Sequence, residues 1–217
     1  MDGETIGSKA ELREHYGQPS ERSLQKELTK LDAHCRNFIA HSPFLVIATS
    51  GADGLGDCSP RGDEPGFVAV LDDNTILIPD RLGNNRTDSL RNIIDNPGIG
   101  LLFLLPGVNE TLRVNGRARI TTDDALLAPL AAQGKAPRSG LLVEVKEAYL
   151  QCGKALIRSK LWDPKTQIER ASFPSLGKIL ADQIGLTDVA GSERMTEEAY
   201  KNRQRRSGRS EIGRAHV

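Results

Sequence analysis

The sequence predicts a mainly β fold with added helices: an antiparallel β-barrel with a helical N-terminal arm and a helical C-terminal extension. Two observations predict it. Between residues 44 and 149, short apolar runs follow one another, each bounded by Gly, Pro, Asp or Asn, as strands joined by turns do. Only one helical pattern, about residues 86–95, interrupts the first six of these runs. Antiparallel hairpins are therefore expected rather than βαβ units.

The individual elements follow from local patterns. Ser8, with Glu11 three positions on, is a capping box for a helix over 8–16. Leu24, Leu28, Leu31, Cys35 and Phe38 recur at three- and four-residue steps, which predicts one helix over 20–41. Pro43 stops it. The runs F-L-V-I-A-T, D-C-S-P-R-G, F-V-A-V-L, T-I-L-I-P, I-G-L-L-F-L-L, T-L-R-V-N-G-R-A-R-I and Leu141–Tyr149 are strand-like. Residues 67–78 form a hairpin turning at Asp72-Asp73-Asn74. Thr122 is the expected cap of a helix over 123–133. Further helices are expected at 152–161, 175–184 and 193–205. The resulting organisation is an arm (1–41), a barrel (42–150) and a helical extension (151–206).

Composition excludes several classes. Lys plus Arg and Asp plus Glu both number 29 in the 217 residues. A nucleic-acid or membrane-surface binder carries a basic excess, so neither partner is expected. Cys35, Cys58 and Cys152 are odd in number and widely spaced, which argues for reduced thiols and a cytoplasmic location rather than a disulfide framework or zinc knuckle. The N-terminus lacks a basic region followed by an apolar one, so no signal peptide is expected. The longest apolar run, 99–105, is too short to cross a bilayer. The final I-G-R-A-H-V resembles a translated sequencing adapter, and 207–217 is set aside as a disordered or artefactual tail.

Four segments could carry chemistry. In S-P-R-G-D (59–63), Arg61 offers a planar fork of donors suited to phosphate, and Ser59 adds a hydroxyl; a surface ion pair with Asp63 or Asp57 is the plainer alternative. In I-P-D-R-L-G-N-N-R (78–86), a strand gives way to a Gly/Asn loop and a helix start. Helix amides together with Asn84, Asn85 and Arg86 would suit a small anion, though an ordinary strand-to-helix turn has the same form. Arg113, Arg117 and Arg119 share one strand face, which could line an anion pocket or face water. Lys154, Arg158 and Trp162 fall at four-residue steps on an expected helix, where Trp162 could meet a planar ligand or simply close the core. The four histidines have no metal-ligand spacing, and no nucleophile elbow is present. G-A-D-G-L-G at 51–56 is not followed by a helix, so it is no dinucleotide fingerprint.

Taken in order, these segments and N-P-G-I-G-L-L-F-L-L-P-G-V-N-E-T-L-R-V-N-G-R-A and C-G-K-A-L-I-R-S-K-L-W-D-P resemble the pyridoxamine 5′-phosphate oxidase-related FMN-binding proteins, from about Phe38 to Leu186. The resemblance implies a six-stranded antiparallel split barrel, a homodimer, and FMN at the subunit interface. It implies that Ser59, Pro60 and Arg61 line the flavin edge and phosphate. Ile78, Pro79 and Asp80 flank the ring through backbone groups, and Asn84, Asn85 and Arg86 hold the phosphate. Thr111 makes a polar contact to the ring, and Lys154 and Trp162 approach from the C-terminal region of one subunit or its partner. A flavin-dependent oxidoreductase with an unassigned substrate is the expected function, with no catalytic acid or base assigned. A non-catalytic flavin carrier, sensor or stress protein, or a deazaflavin-dependent reductase, remains open. Haem is disfavoured, since 44–149 contains no histidine and only Cys58.

Overall fold

The structure, a computed structural model, describes residues 5–206; the tail at 207–217 lies outside the described residues. The chain forms two compact units. One comprises the residues up to 130 together with 136–162, and the other comprises 131–135 and the residues from 163 onward.

The first unit is built on one antiparallel sheet of seven strands. They are β1 (Phe44–Ser50), β2 (Gly56–Gly62), β3 (Ala69–Val70), β4 (Thr75–Pro79), β5 (Gly98–Leu104), β6 (Thr111–Thr121) and β7 (Gly140–Gln151). All seven strand-like segments of the sequence form strands, one more than the resemblance implies. The spatial order is β2-β1-β5-β6-β7-β4-β3. The ladder therefore has two ends, β2 and β3, and the barrel is split rather than closed.

The alternation expected of half-buried strands is present. Leu45 and Ile47, then Ile99, Leu101 and Phe103, then Leu112, Val114 and Ala118 all point into one core. Ile76, Ile78, Val143 and Val145 complete it from β4 and β7. Each such side chain contributes about 1.5–3 kcal/mol by leaving water. A smaller cluster of Leu77, Leu127 and Leu142 packs on the outer face. It lies under α5 (Asp124–Leu127), which is capped by Asp123 rather than the expected Thr122. The helix expected to reach 133 ends early and continues as a 3₁₀ turn over Ala128–Leu130; Pro129 lacks the N–H that a longer helix needs.

The N-terminal arm corrects another expectation. The helix predicted over 20–41 is two helices, α2 (Glu21–Gln25) and α3 (Ala33–His41), after α1 (Lys9–Tyr16), whose Ser8 cap forms as expected. The break has a tertiary cause. β7 has twelve residues and β4 only five, so β7 runs on past Glu144 without β4 beside it. Residues 26–31 occupy that open edge. Leu28 exchanges backbone hydrogen bonds of 2.9 and 2.8 Å with Ala148, and Lys26 Nζ donates to the Leu150 carbonyl at 3.1 Å. Asp32 then restarts the helix by accepting the Cys35 N–H at 2.8 Å. Cys35, Phe38 and Ile39 reach the barrel core from this second helix, and Leu31 reaches it from the bridging segment before it. There burial pushes the Cys35 thiol up to about 11.

α4 (Asp88–Asp95) and α6 (Lys154–Ser159) complete the first unit. In the second unit, α7 (Leu176–Ile184) is capped by Ser175, and α8 (Val189–Arg206) begins four residues before the helix predicted at 193–205. Asp188 explains the earlier start, since its carboxylate accepts the Gly191 N–H at 2.8 Å. The two helices approach closely at Gly177, where a Cβ would lie 2.5 Å from Glu193 Cα. No described helix is long and apolar enough to cross a membrane.

The β6–β7 ladder carries a bulge between Asn115 and Gly116, which bends the sheet. A Cβ at Gly116 would lie 2.1 Å from the Glu144 carbonyl oxygen. Gly116→Ala is therefore expected to destabilise the first unit by about 3 kcal/mol or more, read as a lower urea midpoint than that of the wild type. An unchanged midpoint would show that the bulge can shift.

Candidate functional site at the barrel split

On β2, alternation separates two sets of side chains. Asp57, Ser59 and Arg61 are half-buried on one face, while Cys58 and Pro60 are exposed on the other. Arg61 Nη1 donates to the Ser59 hydroxyl and to the Pro60 carbonyl at 2.9 Å. Pro60 thus holds the arginine through its backbone while its ring faces away. The Nε and Nη2 groups of Arg61 make no hydrogen bond among the described residues.

Asp80 follows β4, with its N–H on the Ser139 carbonyl at 2.9 Å. Burial raises its carboxyl above the usual range, and the nearby Arg61 charge opposes that rise. Ile78 and Pro79 are buried, Ile78 within the core itself. Any contact they make with a ligand is therefore through backbone. β3 pairs only with Ile76 and Leu77, so the outer side of β4 at Ile78 and Pro79 lies beyond the ladder.

A side chain links the segment after β2 to the segment after β4. Arg81 Nε lies 2.6 Å from the Asp63 carboxylate, and its Nη1 donates to the Leu130 carbonyl at 2.7 Å. Asp63, a sequence candidate for pairing with Arg61, is thus engaged by Arg81. Both side chains are about three-quarters buried, so the pair is shielded from the screening that weakens exposed ones.

The loop after β4 starts its helix later than predicted. Asn85 and Thr87 adopt left-handed backbone, at φ 60° and 56°, and α4 begins at Asp88 rather than 86. The Asn84 side chain accepts the Arg86 N–H at 3.1 Å, and the Thr87 hydroxyl donates to the Arg86 carbonyl. No side chain caps α4. Arg86 is exposed and pairs through Nε with Asp88 at 2.8 Å. It also lies within electrostatic reach of Asp57. Asn92, one turn after Asp88, donates to Asp57 at 3.1 Å and to Thr49 at 3.0 Å. This ties α4 to β1 and β2.

Asn92 thereby anchors α4 to Asp57 on β2, with Arg86 within electrostatic reach of Asp57 and Asp80 within that of Arg61. Sequence reasoning did not single out Asn92 or Asp88 for this cluster, and it saw Asp57 only as an alternative ion-pair partner. The signals were two-residue spacing along β2 and four-residue spacing along α4.

The other candidates stand elsewhere in the sheet. Thr111, buried at the start of β6, is in register with Gln151. Trp162 donates from Nε1 to the Val108 carbonyl at 2.9 Å. Lys154 is exposed at the start of α6. β1 and β5 separate β6 from β2, which is about 14 Å along the sheet at ordinary strand spacing. The expected shared face of Lys154, Arg158 and Trp162 does not form: α6 ends at Ser159 and Lys160 turns left-handed, so Trp162 lies beyond the helix. The β6 arginines are partnered on the outer face. Arg113 donates to the Tyr149 hydroxyl at 2.9 Å, while Arg117 and Arg119 help keep the Glu144 carboxyl low after the larger effect of Lys146.

The antiparallel split barrel gives the fold class. Residues 31–152 match the pyridoxamine 5′-phosphate oxidase family, and the chain belongs to that family. No curated protein matches it in sequence. Similar solved structures include HupZ of Group A Streptococcus, 22% identical with a TM-score of 0.45, covering 55% of this chain and 93% of its own. An FMN-binding protein of Syntrophomonas wolfei is 11% identical with a TM-score of 0.43, covering 66% of this chain and 96% of its own. An FAD binding protein of Mycobacterium smegmatis is 19% identical with a TM-score of 0.40, covering 57% and 97%.

Two outcomes test this geometry. Arg81→Met leaves Asp63 unpaired and the Leu130 carbonyl without its donor, and should lower stability by about 1–3 kcal/mol in urea melts. Asp80→Asn should raise the melting temperature more at high pH than at low pH. A carboxyl whose folded pKa is raised stabilises the fold while protonated and loses that contribution as pH rises through its folded value. A Tm difference that is constant with pH would refute the buried-charge account of Asp80.

Proposed function

We propose that the protein is a cytoplasmic, homodimeric flavoprotein that binds FMN and serves as a flavin-dependent oxidoreductase. The observation that carries this is the placement of Arg61 on β2 and Arg86 ahead of α4, with Asp80 in the field of Arg61 and Asp57 in that of Arg86. Two segments distant in sequence, 57–61 and 80–86, there present two guanidinium groups with donors unused among the described residues. Planar donor forks of this kind suit a phosphomonoester, and family membership supports the same ligand class.

In this reading Arg61, Ser59 and Arg86 hold the phosphate, with Asn84 and Asn85 shaping the loop. Backbone groups at Ile78, Pro79 and Asp80 meet the ring. Thr111, Lys154 and Trp162, remote along the sheet from Arg61, act on the flavin bound by the other copy. FMN would supply the redox chemistry, and the protein supplies position and electrostatics.

The test is a fluorescence titration of the purified chain with FMN, together with light scattering for the dimer. Micromolar or tighter binding is expected, and replacing both Arg61 and Arg86 with Ala should weaken it by about a hundredfold. Unchanged FMN retention in the folded double variant would overturn the phosphate assignment. Loss of bound flavin reduction by NADH and NADPH alike would favour a carrier over an enzyme.

A further inference from the structure

The second unit carries a surface that the flavin site does not use. It lies outside the residues that match the family, 31–152. Among its described residues the buried ones are Gly177, Ala181 and Ser192, all small. The Ser192 hydroxyl donates to the Gly177 carbonyl at 2.8 Å, and α7 and α8 approach so closely that Gly177 has no room even for a methyl group. The large apolar residues of this helical hairpin are turned out instead. Leu176, Leu180 and Ile184 are 41%, 40% and 66% exposed, and their four-residue spacing puts them on one stripe of α7. Phe173, Leu186 and Met195 are exposed as well. Leu186 and Met195 flank a cavity of about 460 Å³ at the turn between the helices. A nine-residue helix held to one neighbour through small residues has little to stabilise it in water.

Three features select a second copy of this chain as the occupant. The stripe is symmetric about Leu180. Turned end for end, Leu176 falls opposite Ile184 and Leu180 opposite itself, as a two-fold contact requires. The charges beside it are answered within the hairpin: Lys178 pairs with Asp182 at 2.8 Å, Lys201 with Glu197 at 3.3 Å, and Glu193 accepts from the Ser175 hydroxyl at 2.6 Å. An uncharged face therefore fits the stripe best. The six exposed apolar residues leave roughly 500 Å² per copy, the greater part of the about 800 Å² that each partner of a standard interface buries. We propose that α7 packs antiparallel against α7 of a second copy, with Leu180 at the two-fold axis, so that two hairpins make a four-helix bundle. This rests on the homodimer proposed above and gives it a contact that neither FMN nor the barrel supplies.

The experiment places a thiol on the axis. Full-length Leu180→Cys, incubated with oxidised glutathione, should form a disulfide between copies. Peptide mass spectrometry should assign that bond to residue 180 rather than to the exposed Cys58 or Cys152. It should form at least about tenfold faster than the bond from Lys178→Cys, which lies across the helix from the stripe. Mixing Leu176→Cys with Ile184→Cys should give a cross-link that joins one to the other, and this pair carries the test should Leu180→Cys fail to fold. Adding Leu176→Glu and Ile184→Glu to Leu180→Cys should slow its cross-link by about tenfold or more, because charge would then be buried at the contact. Equal rates at 178 and 180, no bond between 176 and 184, or an unchanged rate in the glutamate variant would each overturn the helix pairing. A chain that is dimeric by light scattering yet fails these tests would leave the homodimer standing, its hairpin covered by something other than a second copy. A monomer at every concentration would overturn both. The FMN titration decides the flavin site independently of either result.

Discussion

Arg81, just beyond β4, joins Asp63 at the end of the edge strand β2 to the Leu130 carbonyl of the 3₁₀ turn. The sheet cannot close by backbone pairing there, because β3 stops after two residues and β2 turns away after Gly62. A partly buried ion pair backed by a second hydrogen bond ties the end of β2 to the segment after β4, where no ladder runs. The position of every polar group at the split depends on that constraint. Asp63 follows Arg61 by two residues and Arg81 follows Asp80 directly, so the link brings the two segments near enough for the Arg61 charge to act on the Asp80 carboxyl.

The same gap explains why charged groups can gather in an otherwise apolar barrel. The core side chains that alternate inward along β1, β5, β6, β7 and β4 are apolar up to the end of β1, where the buried Thr49 continues the inward face of Leu45 and Ile47. At the edge strand β2 the alternating face carries Asp57, Ser59 and Arg61 instead. An edge strand needs to bury only part of its inner face, and half-burial keeps a guanidinium ionised while concentrating its field. α4 supports this face from behind through Asn92, which reaches both Asp57 and Thr49. The site is thus a product of incomplete closure.

At the opposite side of the sheet, the long β7 poses the converse problem. An unpaired edge invites pairing with another chain, and residues 26–31 cover it by turning a leucine-rich segment from helix into a bridge. The bulge at Asn115 and Gly116 adds the curvature that lets β6 and β7 wrap the core. Each of these devices spends local helix or strand regularity on the global wrap.

The sequence by itself determined the strands, their inward faces and the family. Alternation has a period of two and needs no partner to be read, and the turn residues that bound each run act locally. It also determined the capped starts of α1 and α7, since Ser8 and Ser175 bond within their own first turns. Only the tertiary structure decided that the leucine stripe of 20–41 would break at the edge of β7, because the competing hydrogen bonds come from Ala148 and Leu150, more than a hundred residues away. Only the tertiary structure divided the twelve candidate residues into a group at the split and a group at the start of β6. It likewise gave Asp63 to Arg81 and left Asp80 in the field of Arg61. Charge pairing depends on distances across a sheet whose order is not the order of the chain.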